Sequence, residues 1–345
     1  MKEITHPARA TGLALLVLSA LLSGCPGDER GARFENYLTR LGRTLDETVP
    51  PIVSEAVPLA PRPASLKLPV SSGSLDTLDF LAISGCAVQV TIGKRNSSLG
   101  RMAQDSQRLL LELEYLTLAP ECIDYQRREG SADIADTLEQ ARQLKERQLP
   151  ALIFNATLGG EEYREFWRTG TPDPAYPATA GSEVITALEA INAMTGRWLS
   201  GDYRADNLAF ELALSQVATG DGGLLLQALA QQDSALAAAD RLLENRMLRG
   251  PLCKPGYRPA AADILENVIA RFFIGELQGN AAALGSRFHS LLPPLGALEV
   301  KLQATLPEEY AQWQRERDER LQRFASAPRR HVEQLKALRA PCERS

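Results

Sequence analysis

The chain has 345 residues, 44% of them apolar and only 6% aromatic, with 38 basic against 43 acidic side chains and a formal net charge of −5. An acidic balance of this kind lacks the basic footprint that phosphate contacts need, which argues against nucleic acid as a partner.

The first predicted element is a leader. Lys2 and Arg9 precede an uncharged apolar run from Leu13 to Leu22, the charged start and apolar middle of a secretory signal. The run has only half of the ~20 residues that a membrane-spanning helix requires, and it breaks off at Gly24-Cys25-Pro26-Gly27. Leu22-Ser23-Gly24-Cys25 resembles the lipobox of bacterial lipoproteins, in which the thiol receives diacylglycerol and the chain is cut before the cysteine. On this reading residues 1–24 are a cleaved signal peptide, Cys25 carries the lipid, residues 25–32 are a tether and residues 33–345 form a helical domain. Palmitate-class chains contribute about 0.8 kcal/mol per buried CH₂, so two or three of them hold a protein on a membrane without a span. An aspartate after the cysteine would retain such a lipoprotein in the inner membrane. Pro26 stands there and leaves both membranes open; the periplasmic face of the outer membrane is the favoured placement. Ile83-Ser84-Gly85-Cys86 has similar lettering but no preceding signal, and reads as core.

Phe34, Leu38, Leu41 and Leu45 predict a short amphipathic helix. Residues 50–69 hold six prolines, which cannot continue a helix; the segment is expected to run extended, pinned to the body by Ile52, Val53, Val57 and Leu59. Ser74 as an N-cap, followed by Leu75, Leu78, Leu81, Ile83 and Val88, predicts a helix reaching Thr91. Leu109, Leu110, Leu113 and Leu116 predict another, ending near Pro120, and a third runs from Asp133 to Gln148 and is closed by Pro150. A Gly159-Gly160 turn leads to a short helix with Tyr163, Phe166 and Trp167, then a loop with Pro172, Pro174 and Pro177.

Helices over Glu183 to Trp198 and Asp206 to about Val217 follow. From Gly223 onward Leu225, Leu229, Gln232, Leu236, Ala239, Leu243 and Met247 alternate by four and three, the seam of antiparallel helix packing. Ala261 to Leu277 repeats that pattern, and after Pro293-Pro294 a final charged helix runs from Pro307 through Phe324. Almost nothing alternates with period two. The expected fold is all-α, an irregular bundle of about ten helices, with a division into two subdomains near 170–180 as the alternative to a single domain.

Four cysteines remain beside Cys25. An even number in an oxidising compartment suggests two disulfides, and among three connectivities the pairs Cys86–Cys122 and Cys253–Cys342 are preferred, because each closes a loop within one half of the chain. No CxxC pair occurs and no histidine lies near a cysteine, so neither a metal site nor a cofactor is expected. The elbow, Walker, zincin and dinucleotide motifs are all missing. His289 and His331 are the only histidines after the leader and read as exposed helical residues, which speaks against Ser-His or Cys-His catalysis. The adjacent Glu161 and Glu162 diverge by about 100° on a helix and do not face one bond. From Arg315 onward nine basic residues stand against five acids; this reads as a solvated helix face, or as a surface for anionic lipid or an acidic partner.

Two polar strings stand between apolar helices: "KRNSSLGR", Lys94 to Arg101, and "FNATLGG", Phe154 to Gly160. One reading makes them helix caps and sharp turns. The other gathers Arg95, Asn96, Arg101 and Asn155 into a polar cluster able to grip a carboxylate or phosphate. Together with the lipobox, "SQRLLLELEYL" and "PLC" at Pro251 to Cys253, these strings resemble the bacterial lipoprotein family catalogued as domain of unknown function 3080. The resemblance implies a helical, envelope-anchored protein and brings no known activity, cofactor or partner. The expected function is a non-enzymatic envelope lipoprotein that binds another envelope protein. Anionic-ligand binding by the polar cluster is the alternative, and cell-wall hydrolysis a more distant one.

Overall fold

Leucines spaced three and four residues apart require a partner surface along one side of each helix. In the computed structural model, which describes residues 29–71, 83 and 85–343, those stripes meet in an all-α, multi-helix bundle. The expected leader, Cys25 and residues 74–82 and 84 of the helix expected from Ser74 lie outside the described residues; residues 83 and 85–87 are not helical, and a helix begins only at Val88. The elements are α1 (Glu29–Leu45), the single turn α2 (Pro63–Leu66), α3 (Val88–Asn96), α4 (Ser98–Arg101), α5 (Asp105–Arg128), α6 (Ala132–Ala156), α7 (Glu161–Phe166), α8 (Glu183–Leu199), α9 (Asn207–Ala218) and α10 (Gly222–Leu248). After Gly250, α11 (Ala260–Val268) passes through a π-helical stretch, Ile269–Leu277, into α12 (Gln278–Leu302); α13 (Glu308–Ala325) and α14 (Ala327–Arg339) close the chain. Among the described residues there is no strand beyond one bridge between Lys254 and Tyr257, and no helix is long and apolar enough to cross a membrane.

Three apolar clusters organise the bundle. The central one draws on both sides of the Pro172–Pro177 loop, from Leu109, Leu113 and Leu152 to Leu225, Leu295 and Phe324. A second joins α1, the later half of α10, α11 with its π stretch, and α14. The third, smallest cluster lies among α3, α5 and α6. Each satellite cluster carries one disulfide. Cys86–Cys122 ties the approach to α3 onto α5, with Cα atoms 5.4 Å apart; Cys253–Cys342 ties the segment after α10 to the chain's C-terminal turn at 4.9 Å. Both preferred pairings are present. Ile83, beside the first, is fully buried, as its core reading requires.

Several boundaries differ from expectation. α5 runs through Pro120, α6 through Pro150 and α12 through Pro293 and Pro294. An interior proline costs a helix about 3 kcal/mol, but Pro120 and Pro293 stand on the exposed side of their helices, where the ring displaces no core packing. The apolar stripe meanwhile continues in phase beyond them, through Cys122 and Ile123 in α5 and Leu295 and Leu298 in α12. Asn192 also donates to the Pro294 carbonyl and braces the kinked segment.

The proline-rich segment is pinned to the body, by Val57 as expected but not by Ile52, Val53 or Leu59. Ile52, Val53 and Leu59 are exposed; Val57, Ala60, Leu66 and Leu68 pack on the core, and arginines hold the backbone, Arg241 at the Pro51 carbonyl and Arg320 at that of Ala56. The C-terminal basic stretch is a partly solvated face, as expected, with Arg315, Arg329 and Lys336 exposed, while others of its cations hold acidic side chains of the body. Arg320 and Arg323 pair with Glu55, Arg330 with Asp233 and Arg339 with Glu266. His331 is a further correction. It sits in α14, which the periodicity did not separate from α13, and it is fully buried, with Nε2 2.7 Å from the Tyr37 hydroxyl and Nδ1 2.6 Å from Asp240. His289 is exposed on α12, as expected.

Candidate functional site

The four residues of the expected polar cluster do not come together. Asn155 uses its amide twice on the backbone of Leu68, accepting from its N–H and donating to its carbonyl, both at 2.9 Å; it fastens the proline-rich segment to α6. Arg101 is exposed on α4. Arg95 and Asn96 line a cavity between α3, α5 and α6. Asn155 stands ten residues along α6 from Lys145, the charged α6 side chain in that cavity, which is about 15 Å of helix.

The turn that places Arg95 is dictated locally. The Ser97 hydroxyl donates to the Lys94 carbonyl at 2.7 Å and accepts from the Gly100 N–H at 3.0 Å, ending α3 and capping α4 together. A side chain at position 100 would put its Cβ 2.2 Å from the Lys94 carbonyl oxygen, so only glycine fits. Lys94 and Arg95 occupy the last turn of α3, where the helix dipole favours cations. The string thus has the capping role expected of it, and delivers one charged side chain inward.

Arg95 Nε meets Oε1 of Glu112 at 2.5 Å, while Lys145 Nζ donates to Oε2 of the same carboxylate. Glu112 is 2% exposed. Two cations therefore share one buried carboxylate, which leaves a net charge of +1. Lys145 lies 4.8 Å from the centre of the Tyr115 ring, and burial lowers its pKa, opposed by Glu112. Burial, with Glu112 next, raises that of Tyr115, whose hydroxyl donates to the Leu138 carbonyl at 3.0 Å. Thr91 completes the wall; it is 1% exposed and its hydroxyl has no hydrogen-bond partner. Ile92, Leu111, Ala141 and Leu144 supply the apolar part of the lining, Ser71 adds a further hydroxyl, and the cavity measures about 30 Å³. Sequence reasoning missed Glu112, Lys145, Tyr115 and Thr91. A signal for Glu112 was present, because it stands three residues after Leu109 and four before Leu116, on the stripe that faces the core.

Two other buried polar networks brace the bundle. Arg317 forms a bidentate pair with Glu299 at 2.8 and 2.9 Å while stacked 4.8 Å from both the Trp167 and Trp313 rings, and Tyr310 and Gln314 donate to the same carboxylate. Asp221, before α10, accepts from Tyr176 at 2.8 Å and twice from Arg287. The Asp240–His331–Tyr37 chain joins α10, α14 and α1, with Tyr37 and His331 fully buried. Among the described residues no group of metal-ligating side chains gathers.

Fold and site together define a disulfide-braced all-α protein with a small, net-cationic cavity at the junction of three helices. The family model described as "Protein of unknown function (DUF3080)" matches residues 34–345, and the chain belongs to that family. No curated protein and no solved structure matches it.

Proposed function

We propose that this protein is a lipoprotein of the bacterial cell envelope, anchored through Cys25 and facing the periplasm, whose helical body binds another envelope protein. The observation that carries the reading is the juxtaposition of anchor and body. The lipobox cysteine stands four residues before Glu29, the first residue of α1, a gap that extended chain covers in about 14 Å. An acyl anchor at Cys25 therefore holds the bundle against the lipid surface. Disulfides at Cys86–Cys122 and Cys253–Cys342 suit an oxidising compartment.

Support for a protein partner comes from the outer side of α3, α4 and α9. Leu99 is 84% exposed and lines one of two adjoining hollows that share Lys94, Leu110, Glu114 and Asn207. Met102 and Leu208, chain neighbours of the lining residues Ala103 and Asn207, are 85% and 78% exposed, and exposed apolar side chains beside a hollow suit a protein partner. A photo-crosslinking residue at Met102 in intact cells tests the reading. It predicts one discrete envelope-protein adduct, which a crosslinker at the equally exposed Leu248 does not give. Equal, diffuse labelling from both positions would dismiss the partner.

A further inference from the structure

We propose that the cavity between α3, α5 and α6 binds a small monocarboxylate, its head held by Arg95, Lys145 and Thr91 and its short aliphatic part against Ile92, Leu111 and Leu144. The argument is one of charge, of unused donors and of shape. Glu112 neutralises only one of the two cations that reach it. The remaining charge is +1 and lies where solvent screening is weak, since the side chains of Arg95 and Lys145 are 21% and 12% exposed. A monoanion balances it; a phosphate dianion would overshoot and face the Glu112 carboxylate.

Donors stand ready. Among the described residues Arg95 makes its side-chain hydrogen bond through Nε alone, which leaves both terminal nitrogens, the edge that grips a carboxylate with two parallel bonds. The Thr91 hydroxyl is buried at the cavity wall without a partner, a state that costs free energy unless something occupies the cavity and accepts from it. Asn96 borders the mouth and offers an amide. The enclosed space of about 30 Å³ holds about two water-sized groups. That is the size of the smallest monocarboxylates, and the apolar lining suits at most one carbon beyond the head.

Formate and acetate are the probes, titrated into the protein in detergent at constant ionic strength, with chloride and phosphate as comparators, and read by ligand-observed NMR and by thermal shift. We expect saturable binding of both carboxylates and none of phosphate. Thr91→Val keeps the volume and removes only the hydroxyl. It should weaken carboxylate binding about tenfold, the worth of one hydrogen bond to a charged group, while leaving the unliganded protein as stable or more so. Arg95→Lys keeps the charge beside Glu112 and removes the two-pronged grip; it should weaken binding at least as much, and it decides the matter if Thr91→Val fails to fold. Equal stabilisation by chloride, preferential binding of phosphate, or wild-type carboxylate affinity in Arg95→Lys would overturn the assignment.

Discussion

Arg30, in the first turn of α1, donates to the carbonyl oxygen of Tyr176 at 2.8 Å, across 146 residues of chain, and to that of Asp173 at 3.0 Å. Tyr176 in turn donates to Asp221, which Arg287 also holds. The first turn of α1 is thereby tied to the loop before α8 and to the start of α10. Arg30→Ala leaves those carbonyls to other partners and should destabilise the bundle by about 1–3 kcal/mol, measured as a lowered urea midpoint. An unchanged midpoint would show that the lock is incidental.

Glu299 and Arg317 are each 1% exposed at the side chain. Glu299→Gln removes the buried one of the two carboxylates that hold Arg317, leaving only the half-exposed Asp318, and should cost up to about 3–5 kcal/mol. Glu308→Gln, which removes the solvent-exposed partner of Arg315, should cost less than about 1 kcal/mol. Urea denaturation of the two variants side by side checks the ordering; similar losses would refute the contrast drawn between the pairs.

Each disulfide closes a long loop, 36 residues for Cys86–Cys122 and 89 for Cys253–Cys342. On the chain-entropy model each contributes about 4 kcal/mol. Because they staple different satellite clusters, Cys86→Ala/Cys122→Ala should raise amide exchange in α3 and the facing ends of α5 and α6, while α11 and α14 keep their protection. The Cys253→Ala/Cys342→Ala pair should do the reverse. Uniform loss of protection in either variant would mean that the clusters unfold as one unit.

Acid stability carries a smaller signature. Hydrogen bonding to Arg142 lowers the Glu139 carboxyl to about 2, against 4.5 when unperturbed. A folded-state pKa below the unfolded one adds stability above about pH 4.5, and that stability is lost as pH falls towards 2. The pair is partly solvated, so the effect stays below about 1 kcal/mol. Glu139→Gln should leave less difference between stabilities measured at pH 5 and pH 3; an unchanged difference would show that the pair contributes nothing.

Much of the fold is legible in the leucine stripes, because a 3.6-residue period is a local property of sequence. The stripe from Leu225 to Leu243 is buried along its length, and α8 and α9 fall close to their expected bounds. The errors came where a local rule competed with that period. Pro120, Pro150 and Pro293 each suggest an end, although the apolar spacing continues past Pro120 and Pro293; the stripe was the stronger evidence. Less of the site was legible. Arg95 and Asn96 stand out as polar residues between helices, but their partners Glu112 and Lys145 lie on other helices, and a charge within an apolar stripe is easily read as an exposed position. His331 and Arg30 carry no local mark at all, since their burial follows from residues 91 or more positions away.

The anchor at Cys25 is the centre of the account, and metabolic labelling with palmitate tests it most directly, in cells producing the wild-type chain or Cys25→Ser, followed by separation of membranes from the osmotic-shock fluid. The account predicts labelled wild-type protein confined to the membranes, and an unlabelled variant that either retains its leader or leaves with the soluble fraction. Wild-type protein that takes up no palmitate and washes out with the periplasmic contents would contradict it.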